Sequence, residues 1–176
     1  MNVFRVSVSP KAIETIEEEI IYTSVDYPDG VVECGGWLWS AQDSNWFIDG
    51  LEVVEASGPG PGAVKTYDTM VLPTDYLLEM DELFRRDGLE LCGRWHIHHG
   101  GSDQPSEADL NSFGQIIGTR AIWGARTPRA LELILTRPSC HDPWIATPWI
   151  LRRGSGGILG SPGVWPEAAV LISKGE

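Results

Sequence analysis

Residues 89–98, LELCGRWHIH, constrain the fold more than any other stretch of the chain. Side chains on a strand alternate between its two faces. Written as a strand, the segment puts Trp95 and Ile97 on one face and His96 and His98 on the other. The apolar face demands a core on one side, and two imidazoles then stand together on the other. Gly100 to Pro105 reads as a loop, and Ser106 opens a helix carrying Leu110, Phe113 and Ile117 at helical spacing. A strand, a Gly-rich loop and a helix therefore meet where the histidines are.

The other elements are read in the same way. Ser9-Pro10 predicts an N-cap with Pro at the first helical position, and Ile13, Ile16 and Ile20 predict a helix over 10–21. Tyr27 to Gly30 is a turn. Val31 to Ser40 is a buried strand in which Gly35-Gly36 allow close backbone approach. Trp46 to Ala56 is the next strand, SGPGPG (57–62) a loop, and Thr66 to Leu72 a further strand. Thr74 is expected to cap a second helix, with Leu77, Met80 and Phe84 on one face and Gly88 ending it. Ala121 to Ala125 and Ala130 to Thr136 are strands, 137–148 a Pro-rich loop, and Trp149 to Arg152 a short strand. The Gly-rich tail is weakly patterned. Mixed helices and strands, with several strands consecutive, predict an α/β domain in which helices layer on a mixed sheet. The 176 residues suit a single domain over 1–176.

A formal net charge of −12 argues against a nucleic-acid partner, because phosphate binding needs a basic face. No apolar run is long enough to span a membrane, and MNVFRVSVSPKAIE lacks the apolar core of an export signal. The three cysteines, Cys34, Cys92 and Cys140, are odd in number and widely spaced, which suits neither a disulfide framework nor a CxxC zinc knuckle. A reducing cytoplasm is the expected setting. Trp37, Trp39 and Trp95 are expected in the core, and Cys34 and Cys92 as small hydrophobes.

Two imidazoles on one strand face can share an ion at about 2.0–2.1 Å each. Asp109, in the first turn of the helix after the loop, can face back toward them. Two histidines and a carboxylate leave a fourth position for water, the pattern of a catalytic zinc, and a general base must then lie within reach. A second reading needs no metal: Ser106-Glu107-Ala108-Asp109 is also a helix capping box. Spacing alone leaves both open. Other His-x-His sites fit worse. The His-x-His-x-Asp-His form needs Asp and His where this chain has Gly100 and Gly101, the cupin form needs a Glu where Ser102 and Asp103 stand, and barrel amidohydrolases are longer.

His96-x-His98, seven residues, then Ser106-x-x-Asp109 resembles the JAMM motif of the MPN/JAB metalloproteases. Glu33-Cys34-Gly35-Gly36-Trp37-Leu38 resembles the upstream strand element of that family, and GLELCGRWHIHH its histidine strand. The likeness spans about residues 10–136. It implies a cytidine-deaminase-like α/β/α fold and a Zn2+ ion held by His96, His98 and Asp109. It also implies Glu33 as the general acid/base that moves a proton from the zinc water to the leaving amine, and Ser106 as the oxyanion's hydrogen-bond donor. The implied activity is hydrolysis of a peptide or isopeptide bond after the C-terminal glycine of a ubiquitin-like or sulfur-carrier protein, free or conjugated. The 57–68 and 137–148 segments are then candidate walls of the groove, with Trp144 and Trp149 flanking the second. The chain departs from the family pattern at His99, where Pro is usual, which loosens the loop. The compact size looks like a stand-alone bacterial or phage JAB protein. The alternative is an inactive MPN scaffold, whose members typically lack one or more ligands; this chain keeps all five motif residues.

Overall fold

Phe4–Val8, FRVSV, alternates apolar and polar residues and forms strand β1, with Val6 fully buried. The computed structural model describes residues 4–26, 32–42, 50–66, 70–99, 101–112, 129–139, 141–153 and 164–172. The turn expected at 27–30, Trp46, Phe113 and Ile117 of the expected third helix, and the strand expected at 121–125 lie outside them.

Helix α1 runs over Pro10–Asp26. Ser9 caps it as expected: its Oγ accepts the Ala12 N–H at 3.1 Å, and Pro10 occupies the first helical position. The buried stripe is Ala12, Ile16, Ile20 and Thr23. Ile13, expected in that stripe, is 44% exposed, because it sits about 100° around the helix from Ala12. Strands β2 (Gly35–Ala41) and β3 (Leu51–Ala56) follow as an antiparallel pair. The expected close approach at the glycines is present. A Cβ on Gly36 would lie 1.8 Å from the Ser57 carbonyl oxygen, and one on Gly35 2.3 Å from that of Trp95.

The strand expected at 66–72 is instead part of a small two-stranded sheet. β4 (Val64–Lys65) and β5 (Met70–Val71) pair antiparallel, with Val64 opposite Val71. Helix α2 covers Thr74–Arg86. Its N-cap is Pro73, not Thr74: Pro73 holds an extended conformation and its carbonyl accepts the Leu77 N–H at 3.2 Å. Leu77 is buried, Met80 and Phe84 pack beside it, and Gly88 follows the helix with a positive φ of 75° that glycine adopts without strain.

β6 (Leu89–Ile97), β7 (Arg129–Thr136), β8 (Ile145–Arg153) and β9 (Val164–Leu171) complete the sheet. Strand order is β1-β3-β2-β6-β7-β8-β9, and β9 pairs parallel with β1, so the sheet closes into a seven-stranded barrel. Parallel and antiparallel neighbours are mixed, as expected. Closure was not legible from the element pattern, because the two strands that make it, β1 and β9, were not expected. β8 also reaches into the segment read as a Pro-rich loop. Pro148 pairs with Leu133 of β7 at a position beyond the β8–β9 register, which begins at Trp149. Its missing N–H therefore costs no ladder bond on that side.

Two apolar clusters flank the sheet. Ala12, Ile16 and Ile20 of α1 join Val53, Trp95, Ile97, Leu131, Leu133 and others. Leu77 of α2 joins Trp37, Trp39, Leu91, Ala130 and Leu151. Leu131 and Ala130, adjacent on β7, belong to different clusters, so the clusters occupy opposite faces and each helix covers one. No described helix is long and apolar enough to cross a membrane.

Candidate metal centre

β6 lies inside the sheet, with Gly35 of β2 opposite His96 on one side and Ile134 of β7 on the other. Trp95 and Ile97 are buried in the α1-side core, as expected. The Trp95 Nε1–H donates to the Ser57 carbonyl at 2.9 Å, which ties the SGPGPG loop down onto the strand. His96 and His98 share the opposite face, and their Nε2 atoms are 2.8 Å apart.

Asp109 meets them from the start of the helical segment at 107–112. Its Oδ1 is 3.4 Å from His96 Nε2 and its Oδ2 is 3.3 Å from His98 Nε2. Among the described residues, His96, His98 and Asp109 form a group able to hold a metal ion, with ligand atoms all within 4.8 Å of one another.

The backs of both rings suit that use. His98 Nδ1 lies 2.8 Å from the Ser102 carbonyl oxygen, an acceptor for a proton on Nδ1 in the tautomer that leaves the Nε2 lone pair for an ion. His96 Nδ1 lies 2.7 Å from Glu132 Oε1, off the line of a well-directed hydrogen bond. Both rings thus turn Nδ1 toward an oxygen acceptor and Nε2 toward the cluster.

The capping role is present on the same carboxylate. Asp109 Oδ2 accepts the Ser106 N–H at 2.7 Å and the Ser106 Oγ–H at 2.6 Å, and the Asp109 N–H donates back to Ser106 Oγ at 3.2 Å. The two uses do not exclude each other, because Oδ1 faces His96. Burial works to raise the Asp109 pKa, but hydrogen bonds from His96, His98 and Ser106 prevail and hold the carboxyl well below its usual range. Burial works to lower the His96 pKa, but Asp109 and Glu132 prevail and push it up to about 9. A proton on His96 and a cation thus compete for one position beside two carboxylates.

Glu33 lies two residues before β2. The Ile97 N–H donates to the Cys34 carbonyl at 2.9 Å, and the antiparallel register continued by one residue sets Glu33 beside His98. Its own N–H donates to the Thr66 carbonyl at 2.9 Å. Burial raises its carboxyl pKa; His96 acts the other way and Asp109 adds to the rise. All five sequence-predicted residues, Glu33, His96, His98, Ser106 and Asp109, are thus at one place. His99 is half-buried and His141 exposed; neither belongs to the donor group.

Sequence reasoning missed two charged residues here. Arg94 and Glu132 are buried, and Arg94 Nε lies 2.8 Å from both carboxylate oxygens. Arg94 also donates from Nη2 to Asp109 Oδ1 at 3.0 Å and from Nη1 to Ser112 Oγ at 2.6 Å. The signal was available: Arg94 sits two residues before His96, so alternation places it on the histidine face. Glu132 is a lone charge inside the apolar run RALELILT.

A groove of about 560 Å³ opens beside the loop that carries Ser102, lined by Gly101, Asp103, Thr136, Arg137, Ile145 and Thr147. It adjoins the site because the His98 N–H donates to the Leu135 carbonyl at 2.9 Å. Trp149 Nε1–H donates to the Asp103 carbonyl at 2.6 Å and fastens the loop to β8. Arg137, Ile145 and Thr147 of the 137–148 segment line this groove. Of 57–68, residues 57–59 are buried, and 67–68 lie outside the described residues.

No family model and no curated relative matches the chain. Among solved structures it is similar to the solution structure of protein DSY2949 from Desulfitobacterium hafniense, at 15% identity and a TM-score of 0.59, over 96% of this chain and 94% of that one. At that identity the likeness speaks for the fold alone.

Proposed function

We propose that this chain is a zinc-dependent peptidase or isopeptidase of the JAMM type. In this reading the barrel is a curled version of the JAB/MPN layered fold, and the protein acts in the cytoplasm. One observation carries the proposal: the Nε2 atoms of His96 and His98 and the carboxylate of Asp109 converge within 4.8 Å, and Glu33 lies beside them. The donor set, two imidazoles and a carboxylate with both Nδ1 atoms turned toward acceptors, fits zinc once the His96 proton is displaced. When bound, zinc supplies a water of near-neutral pKa and a Lewis acid for the scissile carbonyl.

The chain's own residues do the rest. Glu33, whose carboxyl is raised by burial, takes up a proton and returns it to the leaving amine. Ser106 is exposed and its hydroxyl is held by Asp109. To serve as an oxyanion donor it turns that proton away from Oδ2 toward the substrate. The groove beside Gly101 and Thr136 receives an extended chain, and the substrate class is a ubiquitin-like or sulfur-carrier protein with a C-terminal Gly-Gly tail.

A metal-free binding module is the second reading, favoured by the fact that both Asp109 oxygens already have protein partners, Arg94 and Ser106. The experiment is zinc content of the purified chain beside its His98→Ala variant, followed by incubation with ubiquitin-like fusions that have cleavable C-termini. Equimolar zinc in the wild type only, with cleavage after glycine, is the expected result. A folded wild type that takes up no supplied zinc selects the binding module.

A further inference from the structure

Arg94 and Glu132 hold each other across the parallel strands β6 and β7, where they are direct register partners. Each also touches one metal-binding candidate. Glu132 Oε1 lies 2.7 Å from Nδ1 of His96, the ring nitrogen that faces away from the cluster. Arg94 Nη2 reaches both Oδ1 and the main-chain carbonyl of Asp109, at 3.0 and 3.3 Å, while its Nη1 holds Ser112 in the next turn. One guanidinium therefore grips the strand ligand's carboxylate partner, the helix ligand and the helix itself.

Stability does not explain this arrangement. Buried ion pairs lose in desolvation much of what they gain in attraction, and well-packed apolar residues often replace them without loss. Their charges cancel within the pair, which leaves Asp109 and Glu33 as the carboxylates facing a cation. We propose that Arg94 and Glu132 are positioning residues for the metal centre: Glu132 backs the His96 ring and sets its tilt, and Arg94 fixes the angle at which Asp109 presents Oδ1. This rests on the reading of His96, His98 and Asp109 as a cation site. Neither residue touches the substrate; both act through the ligands they hold, as outer partners of metal-bound histidines generally do.

The test compares the full-length wild type with Glu132→Gln, Arg94→Lys and the double variant Arg94→Met/Glu132→Leu. Zinc affinity is measured by competition with a chromophoric chelator, and geometry by the visible absorption of the cobalt(II)-loaded protein. Circular dichroism and urea unfolding report folding. The double variant guards against the trivial failure in which one orphaned buried charge unfolds the chain. The expected result is a folded double variant that binds zinc about 10–100-fold more weakly and has altered cobalt bands. Arg94→Lys should also weaken binding, because an ammonium lacks the planar fork that holds Glu132 and Asp109 together. A folded double variant with wild-type zinc affinity and cobalt spectrum overturns the positioning role and leaves the metal site standing. A wild type that binds neither metal overturns the site and the positioning role together.

Discussion

Ser106 and Asp109 satisfy each other's main-chain N–H groups, the Asp109 carboxylate accepting from Ser106 and the Ser106 hydroxyl accepting from Asp109. The same carboxylate faces two imidazoles. Substitutions therefore separate the two uses. Ser106→Ala removes the cap alone and should cost about 1 kcal/mol in urea unfolding while zinc stays bound. Asp109→Ala should cost a similar amount in the chelator-treated protein and also release zinc. Zinc retained by Asp109→Ala would mean that the carboxylate is a helix cap and nothing more.

Glu33→Gln preserves size and leaves all three nitrogen and oxygen ligands in place. Zinc content should match the wild type, and hydrolysis of a Gly-terminated fusion should fall about 10²–10⁴-fold, the usual worth of a positioned acid/base group. Metal analysis beside a single-turnover cleavage assay decides it: loss of zinc would make Glu33 a ligand.

The pH response follows from His96. Its folded pKa, pushed up to about 9, exceeds an unfolded value of about 6.5. In chelator-treated protein the stabilisation from this proton is complete below about pH 6.5 and is lost as pH rises through about 9. Zinc must displace the same proton, so the rise in melting temperature on adding zinc should grow across that window. Calorimetry with and without zinc at several pH values measures it. A zinc-induced shift independent of pH would exclude His96 as a ligand.

Gly36 has no room for a side chain, because its Cβ would meet the Ser57 main chain at 1.8 Å. Neither the sheet nor the loop that Trp95 anchors can yield cheaply. Gly36→Ala should destabilise by ~3 kcal/mol or more, read by urea unfolding. A wild-type midpoint would show that the SGPGPG loop moves freely.

The gathering of His96, His98 and Asp109 was legible from local rules, whereas Glu33 was singled out only by the family resemblance. Alternation put His96 and His98 on one face, and a three-residue cap placed Asp109 in the first helical turn. The α1 cap at Ser9 and the end of α2 before Gly88 were read for equally local reasons. What was missed needed pairing across the chain. Glu132 acquires its meaning only from β7 lying parallel to β6, which no window of sequence contains. Thr74 and Ile13 were misplaced by small angular errors, a first helical residue taken for a cap and a residue one step off the buried stripe. Pro148 hid the first residues of β8, because proline argues against a strand until the unpaired side of that strand is known, and β9 lay in the weakly patterned tail. Arg94 was overlooked although the alternation that selected His96 and His98 includes it.

The parallel pairing of β1 with β9, Phe4 beside Ala169, has a kinetic consequence. Loop closure over so long a span is entropically costly and slow, so this seam should form late in folding. Until it does, β1 and β9 expose unpaired edges through which nascent chains associate. Refolding yield should therefore fall with protein concentration, and a chain shortened to lack β9 should be captured in aggregates even though every candidate ligand is still in it.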